Sequence, residues 1–203
     1  MFETTTIING VVFVDAKPTW VHSGLPSNEI AKLVSPLLKF FVIESPVEGL
    51  SARQVPLMTY GWSAPWKKPE WLNRKLKDAA SNKNFYWSCE KYGGMEEVLG
   101  RSPLGQKPID TSSPIEVAVI YDCKKNQTLS LFYHIRNSLA HGRFCAFRHK
   151  RDIWFAFEDV QKAKKKKDDP ADCARLTARI LINNRTLAKW IKLIKQGPSP
   201  KNS

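Results

Sequence analysis

The chain has 203 residues, 42% of them hydrophobic and 25% charged, and its formal net charge is +13. This composition predicts a soluble globular protein, and the absence of a roughly 20-residue apolar run or of a signal peptide excludes a membrane-spanning or secreted one, so we expect a cytoplasmic location. Because of the positive charge, the first expected partner is RNA and the second is an acidic antitoxin or inhibitor protein. Binding to a membrane is not expected.

The first elements are a β-hairpin and a helix. β-Branched residues flank Asn9-Gly10 within Ile7–Val14, and this dipeptide favours a tight hairpin turn. Ser27 is a candidate N-cap for a helix that carries apolar residues at helical spacing. Pro36 interrupts that spacing, so it either kinks one long helix or begins a second one.

Aromatic residues dominate the next part of the chain. In 61–71, tryptophans alternate with lysines and prolines, so the tryptophans either stack RNA bases or lock the loop onto the core; we favour the second. Residues 84–92 are expected to be helical. Residues 100–113 have the composition of a flexible loop, and an internal boundary, if the chain has one, lies there.

Strands and helices alternate in the C-terminal half. Residues 115–121 alternate as in a strand, although a buried helix could give the same pattern. Asn126 is a candidate cap for the helix that follows. Residues 144–149 and 153–157 predict a second hairpin, Lys162–Lys167 a solvated loop, and 187–194 a helix whose apolar stripe faces the core or a dimer partner.

The residues best suited to bind a phosphate or move a proton lie in Tyr133–Phe144, which is predicted to be the end of a helix capped by Gly142. Arg136 offers a fork of donors that matches phosphate oxygens. His141 can hold or release a proton near neutral pH, and Asn137 lies four residues before it, on the same face. As an alternative, Arg136 could pair with a carboxylate and His141-Gly142 could simply end the helix.

The run Arg136-Asn137-Ser138-Leu139-Ala140-His141 resembles the signature of the HEPN superfamily, in which Arg is followed after four to six residues by His. The resemblance covers Thr128–Phe144 closely and residues up to 196 loosely. It implies a metal-independent, dimeric endoribonuclease of the toxin or phage-defence type, with Arg136, Asn137 and His141 as catalytic residues. It also implies a mainly α (α+β) fold: a HEPN-like helical bundle with two β-hairpins.

Basic residues around the motif are candidates for RNA binding: His134, Arg143, Arg148, His149, Lys150 and Arg151. No cofactor or metal site is expected, since the four cysteines are widely spread and no metal-binding spacing occurs. We expect residues 1–203 to form one HEPN-like domain with the motif region at 126–196. The competing function is a non-catalytic HEPN-like protein that binds RNA or a partner.

Overall fold

The computed structural model describes residues 6–17, 24–68, 70–105, 111–124, 126–161 and 173–198. In these ranges five α-helices occur: Ser27–Leu37 (α1), Leu72–Ala79 (α2), Met95–Arg101 (α3), Gln127–Ala140 (α4) and Asn184–Gln196 (α5). The same ranges hold seven strands: Thr6–Ile8 (β1), Val11–Asp15 (β2), Tyr86–Cys89 (β3), Val117–Tyr121 (β4), Phe144–His149 (β5), Asp152–Gln161 (β6) and Cys173–Asn183 (β7).

All seven strands belong to one mixed sheet centred on β7. β6 pairs with β7 along almost its whole length, and β5 continues the sheet beyond β6. A strand has two edges, so β2 and β4 share the other edge of β7, each pairing antiparallel with a different part of it. β1 pairs with β2, while β3 runs parallel to β4.

The prediction of a mainly helical, HEPN-like bundle with two hairpins is therefore wrong, because a seven-stranded mixed sheet forms the centre of the fold. Two strands account for the error. Residues 86–89 form β3 although 84–92 was expected to be helical, and β7 was not recognised. β3 is fixed by pairing with β4, and β7 pairs with β2 and β4 as well as with its neighbour β6, and local residue preferences do not report such pairing.

Both faces of the sheet are covered. One core contains Phe155, Phe157 and Ile180 of the sheet, packed against α1, α2, α4 and α5. The second core lies on the opposite face, where Leu176 and Leu181 pack with residues of α3. Burial on both faces explains why β7 is largely apolar on both sides, with Arg175, Thr177, Arg179 and Asn183 as its polar residues.

Most predictions based on local signals are confirmed, but the N-cap of α1 is Pro26 and not Ser27, and no side chain caps this helix. The Asn9-Gly10 turn has φ values of 50° and 75° and joins β1 to β2. β5 and β6 form the second hairpin, and α5 spans the predicted final helix. Pro36 lies inside α1, which continues directly into a π-helical turn at Leu38–Ile43, so a single helical run passes through it.

The fold places α4 against the sheet. Its buried residues Leu131, Phe132, Ile135 and Leu139 belong to the larger core. The Asn126 side chain accepts a hydrogen bond from Leu129 N at 3.0 Å, which confirms it as the cap that begins α4. In the ranges described, none of the helices is long and apolar enough to cross a membrane.

Candidate active site at the end of α4

α4 ends in a left-handed cap at the predicted motif. Gly142 has φ 66°, its amide donates to Leu139 O at 3.3 Å, and Arg143 N donates to Ser138 O at 2.8 Å. This pair of bonds is the Schellman pattern, and it makes His141 the C-terminal cap residue. The His141 side chain is exposed at the end of the helix, where the unpaired carbonyls give a partial negative charge.

Arg136 is half-buried and held by neutral oxygens. Its Nη1 donates to Asn137 Oδ1 at 3.0 Å and its Nη2 to Leu50 O at 3.4 Å. Its Nε is buried without a hydrogen-bond partner among the described residues. No carboxylate in that part of the chain pairs with this guanidinium. The alternative in which Arg136 belongs to an ion pair therefore lacks a partner in the described chain.

Asn137 connects Arg136 to the interior of the fold. Its Oδ1 accepts from Arg136, and its Nδ2 donates to Asp159 Oδ2 at 3.3 Å. Asp159 is 3% exposed on β6, next to a β-bulge in the pairing of β6 with β7. The sequence places Asn137 on the same face as His141, but its amide oxygen holds Arg136.

His134 lies below Asn137 and is fully enclosed. Its Nδ1 donates to Asp159 Oδ2 at 2.7 Å and its Nε2 to Tyr121 O at 2.8 Å, so both ring nitrogens face acceptors. Burial lowers the pKa of His134, but the hydrogen bonds of the ring with Asp159, Cys123 and Tyr121, together with the Asp159 charge, outweigh burial and raise this pKa to about 9. The pair is therefore an imidazolium and a carboxylate at neutral pH.

The six predicted RNA-binding residues fall into two groups. His134 and Arg143 are 1% and 4% exposed, and Arg143 is bound to Glu158 and to the carbonyls of two β2-end residues. They offer no surface to RNA in this conformation. The others lie at the β5–β6 hairpin, where Arg148 pairs with Glu29, His149 Nδ1 bonds to Thr111 O at 3.1 Å, and Lys150 and Arg151 are exposed.

A groove of about 1000 Å³ begins at the end of α4. Gly142 and Phe144 form one side of it, and α1 and the π-helical turn form the other. Leu38 and Ile43 line it and are 36% and 46% exposed.

The tryptophans of 61–71 behave differently from one another. Trp62 is 1% exposed and its Nε1 donates to Ile194 O at 2.8 Å, which confirms that it locks this loop onto the core. Trp66 is half-buried and Trp71 is 37% exposed. Trp71 also has a positive φ of 36°, with Arg74 at 5.5 Å from its ring centroid.

The sequence did not single out the groups that fix the motif. Asp159 and Leu50 lie 22 and 86 residues from the α4 side chains that they contact. A carboxylate inside the otherwise apolar β6 pattern was the available signal for Asp159, because buried carboxylates need a partner. Lys162–Lys167 lies outside the described residues. Across the described ranges, no three His, Cys, Asp or Glu side chains are grouped so as to hold a metal ion.

Comparison of the chain with protein-family models, with curated proteins and with solved structures gave no match. The geometry at the end of α4 is therefore the basis for a functional conclusion.

Proposed function

We propose that the protein is a metal-independent endoribonuclease whose active site contains Arg136 and His141. Arg136 would bind the scissile phosphate and the negative charge that grows on it, and His141 would move protons. Asn137 would hold the guanidinium in place. The resemblance of Arg136–His141 to HEPN ribonucleases agrees with this proposal, although the sheet-centred fold gives it no support.

The observation that carries the proposal is the state of Arg136. Its side chain is fixed by two neutral oxygens, and among the described residues no carboxylate neutralises it. A guanidinium whose position is fixed while its charge stays unpaired is suited to binding a phosphate, because little side-chain entropy is lost on binding. His141 supplies an exposed imidazole at the end of the same helix.

The proposed reaction is an internal transesterification. A base takes the proton of the 2′-hydroxyl, the 2′-oxygen forms a bond to the adjacent phosphorus, and the bond from phosphorus to the 5′-oxygen breaks. An acid gives the leaving 5′-oxygen a proton. The products are a 2′,3′-cyclic phosphate and a 5′-hydroxyl, so no water or external reactant is consumed.

The test is incubation of labelled single-stranded RNA with purified protein in excess chelator. We expect the wild type to release fragments with cyclic phosphate ends. His141→Ala and Arg136→Ala should cut at least about 100-fold more slowly, as is usual when an acid–base group or a charge-stabilising group is lost. Arg101→Ala is the control, because this exposed arginine lies on α3, on the opposite face of the sheet from α4, and its loss should leave full activity.

The second candidate function is RNA binding without cleavage, which the exposed basic residues of the β5–β6 hairpin favour. The same assay separates the two. If wild type and His141→Ala both bind RNA and neither cuts it, binding alone remains and the nuclease proposal fails.

A homodimer is part of the proposal. Arg136 and His141 are five residues apart, which in a helix separates them by about 7.5 Å along the axis and about 140° around it. One chain therefore offers one imidazole and one guanidinium on different faces. A two-fold axis at the groove beside Gly142 would bring a second copy of each to the same place, since such a contact repeats every residue.

The dimer is tested by mixing Arg136→Ala and His141→Ala chains after co-refolding. In heterodimers one half-site keeps both groups if each half-site takes its Arg and His from different chains, so partial activity should return. Sedimentation gives the oligomeric state. A fully active monomer would rule out the composite site.

The basic hairpin gives a prediction on salt. Lys150 and Arg151 are exposed, and the Arg148 side chain is 50% exposed although it pairs with Glu29. We therefore expect all three to contact the RNA backbone. Neutralising all three should lower affinity and reduce the slope of log K against log salt by up to about two, because about 0.7 ion is released per phosphate contact on a single strand. Neutralising the exposed α5 residues Lys189 and Lys192 is the control. An unchanged slope in the triple variant would show that the hairpin does not touch phosphate.

A further inference from the structure

A second cavity, of about 520 Å³, opens beside the N-terminal half of α4. Its wall includes Glu48, Met58, Trp66, Lys124 and Leu129. We refer to it as the Trp66 cavity. Its volume lies in the range of sites that hold small ligands or a single chemical group of a larger one.

The Trp66 cavity lies along α4 from Arg136. Leu129 lines the cavity and is one heptad before Arg136, so the two residues share a face and are about 10 Å apart along the axis. The chain segment that forms the opposite wall also reaches Arg136, because Val47 and Glu48 line the cavity and Leu50 O accepts from the guanidinium. One ligand lying along this face would meet both places.

The chemistry of the wall favours a nucleobase over other occupants. Trp66 offers an aromatic surface, and base stacking on aromatic side chains is the usual device for holding unpaired bases. Lys124 adds positive charge; its ammonium is held 4.6 Å from the Tyr133 ring centroid on α4. Both features suit an unpaired nucleotide whose base is stacked and whose phosphate meets a cation.

Glu48 adds selectivity. Its side chain lines the cavity, and no hydrogen bond or ion pair engages it within the described ranges. A carboxylate repels phosphate but accepts hydrogen bonds from exocyclic amino groups, such as N4 of cytosine. It would therefore turn the base inward and the backbone outward, and it would favour cytosine, adenine or guanine over uracil, which is the one RNA base without an amino group.

We propose that the Trp66 cavity binds one unpaired, amino-bearing nucleobase of an RNA whose neighbouring phosphate lies at Arg136. This inference rests on the proposed function, since it names the substrate class of the same site: single-stranded RNA with an amino-bearing base near the cleaved bond.

The test measures binding in a His141→Ala background, so that cleavage does not interfere. Fluorescence anisotropy gives the affinity for short labelled oligo(C), oligo(A) and oligo(U) and for an RNA duplex at one salt concentration. Adding Trp66→Ala should weaken oligo(C) and oligo(A) binding on the order of tenfold and leave duplex binding within twofold. Trp66→Phe should retain most of the affinity. Trp71→Ala, at an exposed tryptophan outside the cavity, is the matched control and should change little.

Glu48→Gln is the second arm and leaves the fold intact, because this side chain is exposed. It should bring the affinities for oligo(C) and oligo(U) closer together, since an amide can also donate to the uracil carbonyl. Unchanged affinities in Trp66→Ala, or an unchanged preference in Glu48→Gln, would overturn the proposal. The nuclease proposal fails separately, when the protein with His141 intact cuts none of these oligonucleotides while the effects on binding persist.

Discussion

Replacing Glu158 by alanine should lower the free energy of unfolding by about 3–5 kcal/mol, because it would leave two buried guanidinium groups without their shared carboxylate. Glu158 is 1% exposed, and its two oxygens face Arg143 Nη2 and Arg179 Nε, the latter at 3.0 Å. Burial lowers the pKa of Arg179, and the charge and hydrogen bonds of Glu158 oppose that shift. The Glu158 carboxylate therefore offsets part of the free-energy cost of burying the two guanidinium groups.

The measurement is the urea midpoint and slope of unfolding for Glu158→Ala, with Glu158→Gln as the variant that keeps side-chain volume. Glu97→Ala is the control. Its ion pair with Arg101 has the same length of 3.0 Å, but both partners are about 70% exposed, so its loss should cost less than about 1 kcal/mol. Equal losses for Glu158→Ala and Glu97→Ala would contradict the view that this carboxylate holds the two arginines.

The same buried charges explain why the sheet was not predicted from the sequence. β7 carries Arg175 and Arg179 and β6 carries Glu158 and Asp159, so both strands depart from an apolar pattern. Glu158 contacts Arg179 and Asp159 contacts His134, and these residues become neighbours only in the fold. A bulge at Asp159/Val160 also shifts the register between the two strands. Patterns of local residue preference carry no record of such partners.

The parts that were predicted are those fixed by short-range chemistry. The Asn9-Gly10 turn, the Asn126 cap and the left-handed Gly142 each depend on residues within a few positions. These signals placed Arg136, Asn137 and His141 correctly on a helix and at its end. They could not show that Arg136 is held by Leu50 or that His134 is enclosed, because both contacts join distant parts of the chain.

The enclosed His134–Asp159 pair should make stability depend on pH. The pKa of His134 is about 9 in the folded protein, compared with about 6.5 for a free histidine. A group whose pKa is raised by folding stabilises the folded state fully below the unfolded value, so this contribution is complete below about pH 6.5 and is lost as pH rises through about 9. Each pH unit between the two values corresponds to about 1.4 kcal/mol, which gives a total of about 3 kcal/mol.

We therefore expect the free energy of unfolding of the wild type to fall between pH 6 and pH 9.5 by more than that of His134→Gln, which has no titrating group there. The variant itself should be less stable at pH 6, because Asp159 would keep its charge without an imidazolium next to it. His141→Gln is the matched control, because it removes an imidazole from an exposed position and should keep the stability of the wild type at pH 6 within about 0.5 kcal/mol.

An NMR titration measures the protonation of the His134 ring directly. The His134 ring should remain protonated at both nitrogens to about pH 9, while an exposed histidine loses its proton near 6.5. A His134 ring that titrates near 6.5 would contradict this charge state of the pair.

A charged His134–Asp159 pair also fixes the position of Arg136. Asp159 stays in place as a carboxylate, Asn137 stays bonded to it, and the Asn137 oxygen remains turned towards Arg136. Loss of the His134 proton above pH 9 would then loosen Arg136 at the same pH at which stability falls.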